Sequence, residues 1–223
     1  GSKILTSSAT KIFAIDRVLY TTSLRQDGFY LKTVFPTPYT GLQEWTMSYA
    51  IKLDYNKANQ AVLSPDFYSR VTADGGLQMK VGETDDPKAF AKTKLQPKKW
   101  YYIAWVYDHQ HVKCYINGVL DNEFNVPKVE TFTKLNMSWG AFEGYVREIR
   151  LYNKALTAFQ VLDNLYIETP DNPNLLFYAP LNKKTGIKDV SKNNHPIKVY
   201  VPGSGDKKEY TQPLTWKDEK FPE

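Results

Sequence analysis

The run Lys99-Trp-Tyr-Tyr-Ile-Ala-Trp-Val-Tyr-Asp108 constrains the fold of this chain more than any other segment. Read with period two, Trp100, Tyr102, Ala104 and Val106 form one set and Tyr101, Ile103, Trp105 and Tyr107 the other. Both sets are apolar, so a strand here is covered on both faces and lies inside a sheet, with Trp100 and Trp105 in the core. After the turn Asp108-His-Gln-His111 comes Val112-Lys-Cys-Tyr-Ile-Asn-Gly118, in which Val112, Cys114 and Ile116 share one face and Lys113, Tyr115 and Asn117 the other. That placement makes Cys114 a buried, inert thiol. Asn117-Gly118 is a type I′ turn signal and sends Val119 to Phe124 back as the next strand.

The same alternation recurs along the chain. Trp45, Met47, Tyr49, Ile51 and Leu53 alternate with Thr46, Ser48, Ala50 and Lys52, and the runs Phe67 to Thr72 and Leu77 to Val81 flank the turn Asp74-Gly75-Gly76. Tyr145 to Tyr152 forms a further strand. The period then changes: Thr157 with Gln160 reads as a capping box, and Leu156, Phe159, Leu162 and Leu165 recur at helical spacing. Pro170 and Pro173 mark a connector, followed by a strand over Leu176 to Leu181, a weaker one from Ile197 to Val201 and a polar tail. Short strands, hairpin turns and one short helix predict an all-β fold, an antiparallel two-sheet β-sandwich or jelly roll, and the missing helical crossovers exclude a parallel α/β fold. The expected organisation is a sandwich over 1–170, with 1–24 as a weakly patterned lead that a neighbouring upstream domain would order. Residues 171–223 are too few for a second sandwich and are expected to dock on the first, adding an edge strand.

Composition narrows the function. The 223 residues include one Cys, which excludes an internal disulfide, and a chain of this length buries enough surface to fold without a staple. No apolar run approaches the ~18 residues of a membrane span, and no signal peptide opens the chain; Gly1-Ser2 looks like a cloning remnant on a soluble fragment. The net charge is +5, but the lysines are scattered among Asp and Glu, which argues against nucleic acid as a partner. Aromatic residues make up 14% of the chain, which suits both half-buried strands and a sugar-stacking surface.

Three separated motifs carry a resemblance. Trp100 to Asp108, Val112-Lys-Cys-Tyr-Ile-Asn-Gly-Val-Leu-Asp121 and Phe142-Glu-Gly-Tyr-Val-Arg-Glu-Ile-Arg-Leu-Tyr-Asn-Lys-Ala-Leu-Thr157 are similar, in order and spacing, to the laminin-G-like branch of the concanavalin A-like lectin/glucanase superfamily. Trp45 to Lys52 resembles its early core strand and Phe67 to Gly82 its following hairpin, so the likeness covers about residues 20 to 168. The resemblance implies a jelly roll, a secreted or cell-surface location, and use as a non-catalytic module in bacterial glycan-utilisation proteins. Phe177 to Asn182 with Lys188-Asp-Val-Ser-Lys-Asn-Asn194 also resembles a segment that commonly opens such domains, a strand followed by an Asp-x-Ser-Gly-Asn-Gly loop; here Lys192 and Asn194 stand where glycines are expected.

Glycoside hydrolysis requires two carboxylates roughly 5 to 9.5 Å apart. The Glu-x-Asp-x-x-Glu or Glu-x-Asp-x-Glu strand pattern typical of glycosidases in the superfamily is absent, and Glu148, between Arg147 and Arg150, reads as a structural ion pair. His109 and His111 have no third metal ligand nearby and read as turn residues. No nucleophile elbow, phosphate loop or dinucleotide fingerprint is present, so the chain is expected not to be an enzyme. Relatives often hold calcium at the sandwich rim, and Glu83, Asp85 and Asp86, or Asp54 and Asp66 near strand ends, are the oxygen ligands available for one.

A carbohydrate module needs an exposed aromatic face with amides and charged groups beside it. Outside the core sets the candidates are Tyr39 in the loop Pro36 to Gly41, Tyr55 with Asn56 and Asn59, and Trp139, Phe142 and Tyr145 around Gly140 and Gly144. The expected partner is an oligo- or polysaccharide bound by a monomer. A protein-interaction or adhesion module, which requires a broad exposed apolar patch, and a spacer domain are the competing readings.

Overall fold

The computed structural model describes residues 22–26, 28–57, 60–61, 67–80, 90–137, 139–140, 142–165 and 170–218. In chain order the strands are β1 (Thr22–Gln26), β2 (Tyr30–Tyr39), β3 (Glu44–Leu53), β4 (Gln60–Ala61), β5 (Tyr68–Val71), β6 (Gly76–Lys80), β7 (Phe90–Lys94) and β8 (Trp100–Asp108). They continue as β9 (His111–Ile116), β10 (Val119–Asn125), β11 (Phe132–Met137), β12 (Trp139–Gly140), β13 (Gly144–Tyr152), β14 (Leu175–Ala179), β15 (Lys198–Tyr200) and β16 (Trp216–Asp218). Helix α1 (Ala158–Asn164) follows β13. The largest sheet runs β10-β9-β8-β3-β13-β1-β16, with β14 also on β13, and two smaller sheets run β11-β2-β15 and β12-β4-β5-β6-β7. Every pairing is antiparallel.

Strand β8 lies between β3 and β9, where its two apolar faces require it to be. Tyr101, Ile103, Trp105 and Tyr107 enter a core shared with Leu31 and Phe35 of β2, Val71 of β5, Leu77 of β6 and Leu135 of β11, which makes the smaller sheets the opposing layer. Trp100, Tyr102, Ala104 and Val106 point the other way, under Val161 of α1 and Leu156 and Leu165 beside it. The indoles of Trp45 and Trp105 and the Tyr49 phenol find partners for their polar tips, as the low interior dielectric favours. The Trp45 indole donates to the Val129 carbonyl at 2.7 Å and stacks on Tyr107 at 5.1 Å; the Trp105 indole donates to Tyr49 Oη at 3.3 Å, and that phenol lies 2.5 Å from Ser69 Oγ.

The hairpins follow their turn residues. Asn117 and Gly118 take φ of 52° and 79°, the type I′ form, and a side chain on Gly118 would meet Leu162 at 2.5 Å. His109 and Gln110 make the β8–β9 turn with φ of 47° and 68°. Along one flank Asp121 of β10 accepts from Lys92 N at 2.5 Å, Thr93 N at 3.2 Å and Thr93 Oγ1 at 2.5 Å, and Asn122 Nδ2 donates to the Phe90 carbonyl at 2.6 Å. These side chains tie β10 to β7, so the edges of the two layers are joined without a β ladder.

Strand β13 carries a bulge at Glu148, whose φ is 55°; Arg147 lies opposite Ala50 and Arg150 opposite Ser48. The Glu148 carboxylate is buried between Arg147 Nη2 at 3.0 Å and Arg150 Nη2 at 3.2 Å and accepts from Tyr178 Oη at 2.6 Å. The ion pair expected on this strand is present and is part of the covered face.

Helix α1 starts at the expected capping box, with Thr157 accepting from Gln160 N and Gln160 accepting from Thr157 N. One residue of the predicted apolar stripe is corrected: Phe159 is 75% exposed, while Val161, Asn164 and Leu165 are buried. At about 100° per residue Phe159 lies on the far side of the helix from Val161, and a helix of seven residues cannot bury both. After residue 170 the chain adds β14 to β13 in one layer, β15 to β2 in the other, and β16 to β1. Among the described residues no helix is long and apolar enough to cross a membrane.

Two measurements check this packing. Trp105→Ala should cost about 3 to 5 kcal/mol in urea unfolding, since it empties the centre of the core; unchanged stability would refute the two-faced burial of β8. Burial also raises the Cys114 thiol pKa well above its ordinary value, which suppresses the reactive thiolate. Native protein should therefore resist iodoacetamide at pH 8 and become alkylated on unfolding.

Candidate functional site

The end of β3 and the start of β13 bring two separate segments together. Gly144 lies opposite Leu53 with φ of 147°, and a side chain there would meet the Lys52 carbonyl oxygen at 2.1 Å, so the close approach requires glycine. Asp54 N donates to the Glu143 carbonyl at 3.2 Å, and residues 54–57 therefore stand beside 142–145 at one rim of the large sheet.

Tyr55 is 42% exposed on this rim. Lys57 Nζ lies 5.7 Å from the centroid of its ring and 3.4 Å from Glu143 Oε1. The Tyr55 hydroxyl hydrogen-bonds the Glu143 carboxylate, which raises the phenol pKa and lowers that of the acid, with Lys57 adding to the second effect. Asn56 Nδ2 donates to the Leu95 carbonyl at 3.1 Å and so fixes the loop against the β6–β7 side. Tyr145 is half-buried, its ring 6.1 Å from Trp100.

Three of the aromatic and amide residues singled out in the sequence, Tyr55, Asn56 and Tyr145, thus share one rim. Phe142 is corrected: it is 5% exposed and belongs to the inner core, where it closes the end of the sandwich and offers no face to a ligand. Trp139 lies on β12 opposite Ala61, and its side chain is outside the described residues. Asn59, Asp66, Glu83, Asp85 and Asp86 also lie outside the described residues, and among those described no three His, Cys, Asp or Glu side chains converge on a metal position. Sequence reasoning missed Lys57 and Glu143. Glu143 sits between Phe142 and Gly144 and Lys57 follows Asn56, but their convergence depends on the β3–β13 register.

Tyr39 occupies a different setting. Its hydroxyl is 3.1 Å from His195 Nε2 and its ring 4.9 Å from Phe35. His195 Nδ1 is 2.8 Å from Asp189 Oδ2, and the fully buried Asp189 carboxylate also accepts from Tyr178 N at 3.0 Å, Ser191 N at 2.9 Å and His195 N at 2.8 Å. The loop whose glycines are replaced is therefore a clamp on β14: Asn194 takes φ of 46° in place of glycine, a conformation Asn tolerates, and Lys192 needs no positive φ. His109 Nδ1 lies 2.5 Å from Asp108, and His111 bonds Asn125 at 3.1 Å and Glu123 at 3.2 Å on the exposed hairpin.

A laminin G family model, described as the concanavalin A-like lectin/glucanases superfamily, matches residues 27–162. The chain belongs to this superfamily. No curated protein matches it in sequence. Among solved structures, this superfamily member is similar to a Bacteroides ovatus protein inferred to bind carbohydrate, with TM-score 0.65 and 18% identity over 83% of this chain; it spans 61% of that protein's length. It is also similar to a heptameric pentraxin of Limulus polyphemus resembling serum amyloid P, with TM-score 0.53 and 13% identity over 85% of this chain and 98% of the other. At these identities the likeness establishes a shared β-sandwich.

The clamp yields a prediction. Tyr39→Phe removes the bond to His195 while keeping the ring, and should lower unfolding stability by about 1 kcal/mol. Chemical denaturation measures it, and an unaltered midpoint would show that the hydroxyl contributes nothing to docking the 189–195 loop.

Proposed function

We propose that this domain is a non-catalytic carbohydrate-binding module that holds an oligo- or polysaccharide at the rim of residues 54–57 and 142–145. The observation that carries the reading is the exposed Tyr55 ring with Lys57 and Glu143 beside it, on a loop that Asn56 fixes to the Leu95 carbonyl. An apolar ring beside mixed donors and acceptors suits the two-sided chemistry of a pyranose, whose C–H face stacks while its hydroxyls hydrogen-bond. The lectin-like superfamily and the likeness to the B. ovatus protein support it. Tyr145, half-buried beside Trp100, extends the same rim.

Hydrolysis is disfavoured by the same groups. A general acid must hold its proton near neutral pH, whereas Tyr55 and Lys57 favour the ionised form of Glu143. Glu148 is sealed between two arginines. The module acts outside the cytoplasm, secreted or at a cell surface, as a monomer beside a neighbouring domain. Calcium held by Glu83, Asp85 and Asp86 remains part of this proposal.

The test is a glycan array with calcium and again with chelator, followed by titration of the tightest hit. Tyr55→Ala should weaken binding about tenfold, the equivalent of ~1.4 kcal/mol, with an unchanged melting temperature. Full affinity in this variant would remove the rim from the site, and loss of binding in chelator would place calcium in it. A second reading has one observation in its favour: a groove of about 450 Å³ is floored by Val106, Tyr115 and Leu156 and walled by Asp108, His111, Lys113 and Thr157, with exposed Leu120 on the strand opposite Tyr115 and exposed Phe159 next in sequence to Ala158 of its lining, a mixed corner suited to a protein partner. A blank array would move the weight to that corner.

A further inference from the structure

The outer face of the sheet β11-β2-β15 concentrates positive charge that the fold does not need. Tyr30, Lys32 and Val34 of β2 share this face with Lys198 and Tyr200 of β15 and with Lys134 and Asn136 of β11, while the intervening Leu31, Phe35, Leu135 and Met137 enter the core. Lys32 stands directly opposite Lys198. Like charges in that position destabilise a sheet, so packing gives no reason for the pair. The turn after β15 adds Lys207 and Lys208, and its 201–210 segment folds back on the strand through Val201 N to the Lys208 carbonyl and Tyr210 N to the Val199 carbonyl.

Two carboxylates partly offset these five lysines. Glu209 lies 3.7 Å from Lys198, with both side chains largely exposed. Asp206 is more informative, because Tyr30 Oη donates to one of its oxygens and Lys32 Nζ to the other, with Lys134 acting on the same group from further away. A hydroxyl and an ammonium thus converge on a single carboxylate. The acid is supplied by an exposed turn in which Gly203, Gly205 and Asp206 itself all have positive φ. Next to it opens a cleft of about 270 Å³ lined by Lys32, Val34, Pro196, Lys198 and Tyr200, and Val34 is 53% exposed on its floor.

We propose that this face is a second glycan contact, distinct from the Tyr55 rim, and that it takes an anionic sugar. The carboxylate or sulfate of the sugar competes with Asp206 for Tyr30 and Lys32 and is met by Lys134 and Lys198. The pyranose ring lies on Val34, Pro196 and Tyr200. Asp206 acts as an internal stand-in for the ligand's anion, which holds the lysines together when no sugar is bound. The inference rests on the glycan-binding reading only in that both ligands are sugars.

The experiment is calorimetric titration of the full chain with an oligogalacturonate, a sulfated oligosaccharide of similar length, a neutral hexasaccharide and a single-stranded DNA oligonucleotide. Binding of at least one anionic sugar, weakened by added salt and absent for the neutral one, is expected, and the tighter of the two identifies the anion. The double variant Lys134→Gln/Lys198→Gln should lower that affinity about tenfold, whereas Lys128→Gln, a charge removed elsewhere on the surface, should leave it unchanged. Asp206→Asn should raise the affinity severalfold by releasing Lys32. Failure of both anionic sugars to bind, an equal loss in Lys128→Gln, no change in the double variant, no gain in Asp206→Asn, or equal binding of the oligonucleotide would each overturn the proposal. Tyr55→Ala should keep the anionic-sugar affinity, so failure at the rim and failure at this face are read separately.

Discussion

Covering both faces of β8 is the constraint from which the rest of the architecture follows. One face, led by Trp105 and Tyr107, requires a second sheet layer, and β2, β5, β6 and β11 supply it. The other, led by Trp100 and Tyr102, requires something laid across the outside of the large sheet, and α1 with its flanking Leu156 and Leu165 supplies that. A sandwich with a solvated outer face would leave those aromatic side chains in water. The short helix is therefore a structural necessity of the strand it covers, and its capping box fixes where that cover begins.

The polar residues divide by what the surrounding dielectric demands of them. Under the helix side, Glu148 is surrounded by Arg147, Arg150 and Tyr178; a buried carboxylate is costly to leave half-paired, and both of its oxygens are engaged. At the other extreme, Asp74 is exposed in its turn and held ionised by Lys94, Thr72 and the Gly76 amide. Half-buried Asp121 and Asn122 lie between these, and with fully buried Asp189 they spend their side chains on backbone amides or carbonyls that no strand pairs. These residues join layers and loops, which leaves recognition to the groups at the Tyr55 rim and the lysine face.

Fold class was legible because alternation is a local property. Trp45 to Leu53, Trp100 to Asp108 and Asn117-Gly118 declare strand, burial and turn within a few residues, and the structure places each accordingly. The site was less legible because exposure is not local. Phe142 and Tyr145 lie three residues apart in one loop and strand start, yet one closes the core and the other reaches the rim. Phe159 fits a helical stripe on paper and faces solvent because the helix is only two turns long. Glu143 and Lys57 become partners only through the register of β13 on β3. Tyr39 reads as a loop aromatic, and its attachment to His195 spans most of the chain.

The pairing of β16 with β1 has a mechanical consequence. Thr22 lies opposite Asp218, Ser23 opposite Lys217 and Leu24 opposite Trp216, so the described chain enters and leaves through adjacent strands at the same end. A pull applied at Thr22 and Asp218 loads those antiparallel hydrogen bonds one after another, as a zipper opens, instead of shearing them together. Tension on the domain is then relieved by peeling β16, while β8 and the layers around it carry no force until that strand has come away.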